Sequence, residues 1–202
     1  MRLLFPGTAL AMVAFAWPVH AGAQEADVPQ EQVTVQPGTI KDSSGRISVN
    51  LAAGTGNQQM AGATVALGAI AGSTGIARQI ILTPDASDRI TLIEVPDDAF
   101  AGNSGLLSIN ISAGTFNQSA NLAQLAMGSI VAMSDQLLEQ SRASTEPSGG
   151  TGSAANAPND AIKLSDGAFR DNSGLVQLNL IGGERNSSAN IFQLSMSAGS
   201  NP

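Results

Sequence analysis

The chain has 202 residues, with 9 lysines and arginines against 16 aspartates and glutamates, and a formal net charge of −7. This acidic balance argues against a nucleic-acid or anionic-membrane partner, since both are bound through basic patches. The sequence has no Cys, no Tyr and one His, which excludes disulfides and thiol chemistry. The order of the folded chain must therefore come from backbone pairing and packing.

The N-terminus predicts a signal peptide over residues 1–23. Arg2 precedes an apolar stretch at 3–17, and Ala21-Gly22-Ala23 forms an A-x-A cleavage site. Cleavage there would remove one positive charge, which takes the net charge from −7 to −8. No later segment is long and apolar enough to insert in a membrane. We therefore expect a secreted protein, periplasmic in transit and then extracellular or at the cell surface.

One sequence pattern occurs three times without gaps, at 44–68, 104–128 and 173–197. Each copy opens with Ser-Gly and then carries Asn, Gly and Asn at fixed distances. The first Asn is Asn50, Asn110 or Asn179; the Gly is Gly54, Gly114 or Gly183; the second Asn is Asn57, Asn117 or Asn186. A pattern repeated at fixed positions predicts stacked units that cover each other's apolar faces.

Apolar and polar residues alternate on both sides of the central Gly. In the first copy Ile47, Val49 and Leu51 alternate with Ser48 and Asn50. Because side chains of a strand point alternately to its two faces, each copy reads as strand, turn, strand. The sequence predicts an all-β fold of three stacked β-arches, similar to a β-solenoid.

The domain organisation follows from the repeats and the segments between them. We predict a signal peptide (1–23) and a flexible N-terminal segment (24–32), followed by repeat 1 (33–68), linker 1 (69–91) and repeat 2 (92–128). Linker 2 (129–160), repeat 3 (161–197) and a tail (198–202) complete the chain.

The two linkers give rise to different expectations. In linker 1, residues 78–82 are compatible with an additional strand pair. For linker 2 we predict a short helix over about 129–141 and disorder over 141–159, which is rich in Ser, Gly and Pro. A longer amphipathic helix over 119–140 is an alternative in repeat 2, but the other copies do not extend its pattern.

The recurring amides are the candidate functional residues. Stacking in register would place Asn50, Asn110 and Asn179 about 4.8 Å apart, where each amide bonds to the one above and below. A second ladder would join the turn residues Asn57, Asn117 and Asn186, for which ordinary turn geometry is the favoured interpretation. Gln124 and Gln193 lie between apolar residues of the second strand and join the predicted self-assembly set. Gly54, Gly114 and Gly183 are the predicted turn glycines.

Metal binding and catalysis are not indicated by the sequence. The Asp and Asn clusters lack the period of calcium-binding β-helices and the carboxylate spacing of an EF-hand. No pair of carboxylates recurs, and no phosphate loop is present. We predict no metal, no cofactor and no enzymatic activity, and a small hydrolase remains the least supported alternative.

At the residues from Gly45 to Gln59 the sequence resembles the Fap-type bacterial functional amyloids and related surface adhesins. Their repeats combine Ser-Gly, an apolar-x-Asn-apolar run and Gly-x-x-Asn-Gln-Gln, and copy two keeps Ala113-Gly114 and Asn117-Gln118. The resemblance implies an extracellular fibre component of biofilm matrix, exported through the periplasm and a dedicated outer-membrane pore. The chain lacks the Cys-x-x-Cys at which such subunits often end, which leaves open a major, minor or nucleating role.

Two functional hypotheses follow. In the first, the chain self-associates through its stacked repeats into an amyloid-like fibre or adhesin, with itself, a related fibre subunit and an export pore as partners. In the second, the same β-solenoid is a soluble periplasmic or secreted binding module that stays monomeric.

Overall fold

The computed structural model describes residues 30–73, 76–81, 89–133, 137–142 and 160–197. Within these ranges the chain forms thirteen β-strands and no helix, so none of the described segments is a helix that could cross a membrane. The predicted signal peptide, residues 143–159 of linker 2 and the tail lie outside the described residues. Residues 30–32, part of the predicted flexible segment, belong to the first strand.

Three sheets each take one strand from every repeat, and all their strands are parallel. Sheet 1 contains β1 (Gln30–Thr34), β6 (Ile90–Val95) and β11 (Ala161–Leu164). Sheet 2 contains β2 (Ser44–Ala53), β7 (Ser104–Ala113) and β12 (Ser173–Gly182). Sheet 3 contains β3 (Gln58–Leu67), β8 (Gln118–Gly128) and β13 (Ser187–Ser197). The strands of one repeat form one layer, and layer 2 lies between layers 1 and 3.

The register of these sheets follows the repeat alignment residue by residue. Ser44 pairs with Ser104 and Ser104 with Ser173, and the pairing continues in register along sheets 2 and 3. The prediction of an all-β fold of stacked strand-turn-strand repeats is confirmed. It holds because a one-residue slip would turn the apolar face of each strand to the wrong side.

The apolar core lies between sheets 1 and 2. Ile93 of sheet 1 and Ile109 and Ile111 of sheet 2 are fully buried there. Phe100, in the turn between the two sheets, is fully buried and stacks on Phe169 with 5.4 Å between ring centroids. The alternating apolar residues of sheet 2 therefore face sheet 1, while its Ser, Asn and Gln residues face sheet 3.

The predicted short helix over 129–141 is wrong. Its described residues form β9 (Ile130–Met133) and β10 (Leu137–Arg142). These strands pair in parallel with β4 (Ile70–Ser73) and β5 (Ile76–Ile81) of linker 1. The alternative helix over 119–140 is likewise replaced by strands. Pairing with a distant segment overrides the local helix propensity of these Ala- and Leu-rich residues.

Candidate functional site: the amide columns and the two ends of the stack

The mid-strand asparagines form a hydrogen-bonded column through all three layers. Asn110 Nδ2 donates to Asn50 Oδ1, and Asn179 Nδ2 donates to Asn110 Oδ1, both at 2.9 Å. Each donor also reaches a backbone carbonyl of sheet 3, that of Met60 or Ala120. Asn110 is fully buried, and its amide has partners on both sides.

All amide donors in this column point from layer 3 towards layer 1, so its two ends differ chemically. At the layer 1 end, Asn50 is exposed and its Nδ2 has no hydrogen-bond partner among the described residues. At the layer 3 end, the Oδ1 of Asn179 accepts bonds from Ser188 and Asn190 of its own layer, at 2.7 and 3.1 Å. The column therefore ends in a donor on one side and an acceptor on the other.

The turn asparagines form a second column, which joins side chains to the backbone of the next layer. Asn57 Nδ2 donates to the Gly114 carbonyl at 2.8 Å, and Asn57 Oδ1 accepts the Asn117 N–H at 3.0 Å. Asn117 makes the same two bonds to Gly183 and Asn186, at 2.8 and 2.9 Å. Asn57 and Asn117 thus each bond the turn of the following layer. A role in the geometry of their own turn and a role in a ladder between layers are therefore compatible.

The last member of this column has no following layer in its own chain. Asn186 is exposed and donates only to the Gly182 carbonyl of its own turn, at 2.9 Å. Asn57 makes the equivalent bond to Ala53 at 3.0 Å in addition to its bond to layer 2. Asn186 therefore makes only the within-layer part of the pattern.

Several further amides, which the sequence analysis did not single out, fill the space between sheets 2 and 3. Asn121 Nδ2 donates to the Ile109 carbonyl at 2.9 Å, and Asn190 Nδ2 donates to Asn121 Oδ1 at 2.9 Å. Gln177 Nε2 bonds the Leu122 carbonyl at 3.0 Å. The first copy has Ala61 at the Asn121 position, so a search for residues common to all three copies misses this column.

The predicted glutamines form a shorter column. Gln193 Nε2 donates to Gln124 Oε1 at 3.0 Å, and layer 1 has Thr64 at the paired position. Gln124 is fully buried, and its Nε2 has no hydrogen-bond partner in the described structure. This pair therefore joins two layers only.

Glycines are required where successive layers approach most closely. Gly54, Gly114 and Gly183 lie at φ values of 96°, 113° and 86°, and a Cβ on Gly114 would overlap the Gly183 carbonyl. The Ser-Gly glycines show the same constraint, because a Cβ on Gly105 would overlap the carbonyl of Gly45. Around Gly45 itself nothing lies within 4 Å, since layer 1 is the end of the stack.

Charged side chains at the rim pair across layers. Asp98 of layer 2 lies 3.9 Å from Lys41 of layer 1 and forms an ion pair with Arg170 of layer 3. The hydrogen bond and the charge of Asp98 raise the pKa of Arg170 above its ordinary value. Glu94 similarly bonds Lys163 at 2.7 Å. Among the described residues, no group of three or more His, Cys, Asp and Glu side chains could hold a metal ion.

Comparison with known proteins shows which family the sequence belongs to. The functional amyloid subunit FapC of Pseudomonas aeruginosa is 35% identical over 91 residues, which are 42% of this chain and 27% of FapC. The chain thus matches little more than a quarter of that relative's length. No solved structure matches the chain. A family profile described as the functional amyloid protein FapB/FapC family matches residues 17–197. The chain therefore belongs to the functional amyloid FapB/FapC family.

Proposed function

We propose that the chain is an exported subunit that stacks head to tail, repeat 3 of one copy on repeat 1 of the next, into an amyloid-like fibre at the cell surface. Such a fibre would contribute to biofilm matrix or attachment. The predicted signal peptide and the family membership support export and assembly. A related fibre subunit and an outer-membrane export pore are further proposed partners.

The observation that carries this proposal is the complementarity of the two end layers. Layer 1 presents the free Asn50 amide donor, and layer 3 presents the Asn179 Oδ1 acceptor in the same column, which would exchange one of its two within-layer bonds for the new one. In the turn column, layer 3 presents the outward side chain of Asn186, and layer 1 presents the Asn57 N–H that such a side chain would bond. Addition of a second copy would therefore reproduce the contacts already present between layers 1, 2 and 3.

The strand edges of the end layers support the same conclusion. The β2 strand of layer 1 is largely exposed, whereas the equivalent β7 strand of layer 2 is buried from Leu107 to Ala113. Exposed edges are ordinarily protected by charge, proline or a covering segment. Of the edge strands of sheets 2 and 3, only β2 carries a charged residue, Arg46. A head-to-tail contact between unlike faces that, like this one, continues the stack along its own axis does not close into a ring and extends into a filament.

The variant Gly45→Ala tests stacking separately from folding. A Cβ at Gly105 or Gly174 overlaps the carbonyl of the preceding layer, but a Cβ at Gly45 meets no atom of its own chain. We expect Gly45→Ala to fold, with about 1–3 kcal/mol of backbone strain from its positive φ, and to fail to stack on the repeat 3 face of another copy.

Gly38→Ala is the matched control. Gly38 also has a positive φ in layer 1 and no atom within 4 Å of its Cβ position. Asp98, to which Gly38 bonds in layer 2, shows that this position of the stack accepts a side chain. The measurements are circular dichroism for folding and seeded assembly followed by fibre diffraction at the strand and sheet spacings of about 4.8 and 10 Å. Assembly of Gly45→Ala at the wild-type rate would contradict the proposal. A wild-type protein that stays monomeric at high concentration would favour the soluble binding module instead.

A further inference from the structure

We propose that the head-to-tail junction is electrostatically gated: stacking brings like charges together in three columns at the rim, so ionic strength controls elongation. This inference rests on the proposed function, because it concerns the contact between repeat 3 of one copy and repeat 1 of the next. It comes from a difference between that contact and the contacts inside the chain.

Inside the chain, several charged residues of neighbouring layers are paired with opposite charges, although Asp97 and Asp166 hold equivalent turn positions of layers 2 and 3. Lys41 and Arg170 both pair with Asp98, which lies between their layers. The Lys163 ammonium lies 2.7 Å from Glu94. The two internal interfaces therefore contain attractive rim contacts.

The junction would align two of these columns with like charges. The backbone bonds from Asp42 to Ala101 and from Gly102 to Arg170 define one column of Lys41, Ala101 and Arg170, and a neighbouring column of Asp42, Gly102 and Asp171. In both columns the middle layer is neutral, so the charged residues of layers 1 and 3 are kept apart within one chain. Continuation of the stack would place Arg170 beside the next copy's Lys41, and Asp171 beside its Asp42, about 4.8 Å away.

A third column, in sheet 1, also aligns like charges, but more weakly, because Glu31 already pairs with Arg89 of its own chain at 2.8 Å. Glu31 pairs in register with Thr91, and the Thr91 hydroxyl donates to the Asp160 carboxylate at 2.6 Å. The column therefore reads Glu, Thr and Asp from layer 1 to layer 3. At the junction the carboxylate of Asp160 would meet that of the next copy's Glu31, with no neutral layer between them.

The Asp42 column also shows a mismatch of shape. The Asp42 carboxylate occupies the space that a Cβ on Gly102 would fill, so glycine is required in layer 2. At the junction the residue that follows Asp171 is Asp42, which has a side chain. With the same rotamer as Asp42, the Asp171 carboxylate would overlap it, so Asp171 must turn away before a copy can add.

The expected effect of each pair is modest but measurable. Like charges directly opposite each other on paired strands destabilise the pairing by a factor on the order of two to five in an equilibrium constant. Because Lys41, Asp42, Arg170 and Asp171 are exposed, salt screens them over a distance of about 10 Å at 0.1 M ionic strength. Raising the ionic strength should therefore lower the critical concentration for assembly.

The test uses Asp42→Asn, Asp171→Asn, their combination and the control Glu139→Gln. Asn tolerates the positive φ of 52° at Asp42 and 59° at Asp171, so the fold is preserved. Glu139 is an exposed carboxylate paired with Arg78 within the chain, and its replacement changes the net charge equally without touching the junction. The readout is the critical concentration of seeded protein, measured by sedimentation at about 0.01 and 0.5 M salt.

We expect each Asn variant to lower the low-salt critical concentration by roughly two- to five-fold and to weaken its salt dependence. The double variant should gain less than the product of the two single effects, because both remove the same pair. Glu139→Gln should behave as wild type. If Asp42→Asn and Glu139→Gln behave alike while the wild type assembles, the gate is refuted and the proposed function stands. If no variant and no wild-type protein assembles at either salt concentration, both are refuted.

Discussion

Replacing Asn50, Asn110 and Asn179 together by Asp tests the central amide column with almost no change in side-chain shape. Carboxylates one strand spacing apart repel each other by about 3.5 kcal/mol at an effective dielectric constant near 20. Two neighbouring pairs in one chain reach about 7 kcal/mol, comparable to the whole stability of a typical domain, about 5–15 kcal/mol. At neutral pH the triple variant should neither fold into the stack nor assemble.

Acid should restore the triple variant. Burial and mutual repulsion favour the neutral carboxylic acid, so the pKa of these groups in the folded state would lie above the ordinary Asp value of about 3.9. Since the folded-state pKa is raised, stability is fully present below the unfolded value and is lost as pH rises through the folded value. A protonated Asp can donate and accept hydrogen bonds as Asn does.

The assay is seeded assembly of the wild type and the triple variant at about pH 3 and pH 7, with circular dichroism on the same samples. We expect the wild type to assemble at both pH values and the variant only at the lower one. Assembly of the variant at pH 7 with wild-type kinetics would refute the contribution to folding and stacking that we assign to this column.

Three further outcomes follow from single positions. Phe100→Ala should lower the free energy of unfolding by about 3–5 kcal/mol, since Phe100 is fully buried against Phe169, and a change below 1 kcal/mol in denaturant unfolding would contradict this. Gly114→Ala should abolish folding, because its Cβ would overlap the Gly183 carbonyl; a native-like circular dichroism spectrum would show that the turn can relax. Asp98→Asn should leave denaturant unfolding unchanged within error, because its partners Lys41 and Arg170 are exposed. A large salt-sensitive loss would show these ion pairs to be structural.

The register of the stacked strands can be predicted from the sequence. Alignment of the Ser-Gly pairs predicts the pairing of Asn50 with Asn110 and of Asn110 with Asn179, because identical residues stack best in register and the polar-apolar alternation permits no slip. The same alignment identifies the turn glycines, whose conformations tolerate no other residue.

The linkers were not predictable in the same way. Residues 130–133 pair with 70–73, and 137–142 with 76–81, but beyond the pairs Ile70–Ile130 and Gln79–Gln140 these segments share little sequence. Their strand conformation depends on neighbours supplied by the stack. Local sequence was compatible with a strand pair at residues 78–82 of linker 1, where β5 lies, but favoured a helix at residues 129–141 of linker 2. The Asn121 and Asn190 column was missed because layer 1 carries Ala61 there. The direction of the amide bonds, which makes the two ends complementary, depends on atomic geometry that no residue pattern contains.

Disulfide trapping of the head-to-tail register tests the central claim most directly. The chain has no Cys, and Ser44 and Ser173 are exposed residues of layers 1 and 3 in one column. Within one chain they are two strand spacings apart, about 9.6 Å, too far for a disulfide, but across the proposed junction they are about 4.8 Å apart. Oxidation of the assembled double variant Ser44→Cys/Ser173→Cys should give a ladder of covalent polymers, while either single variant stays unlinked. Dimers of the single variants, or a double variant that stays monomeric on a non-reducing gel, would contradict head-to-tail stacking.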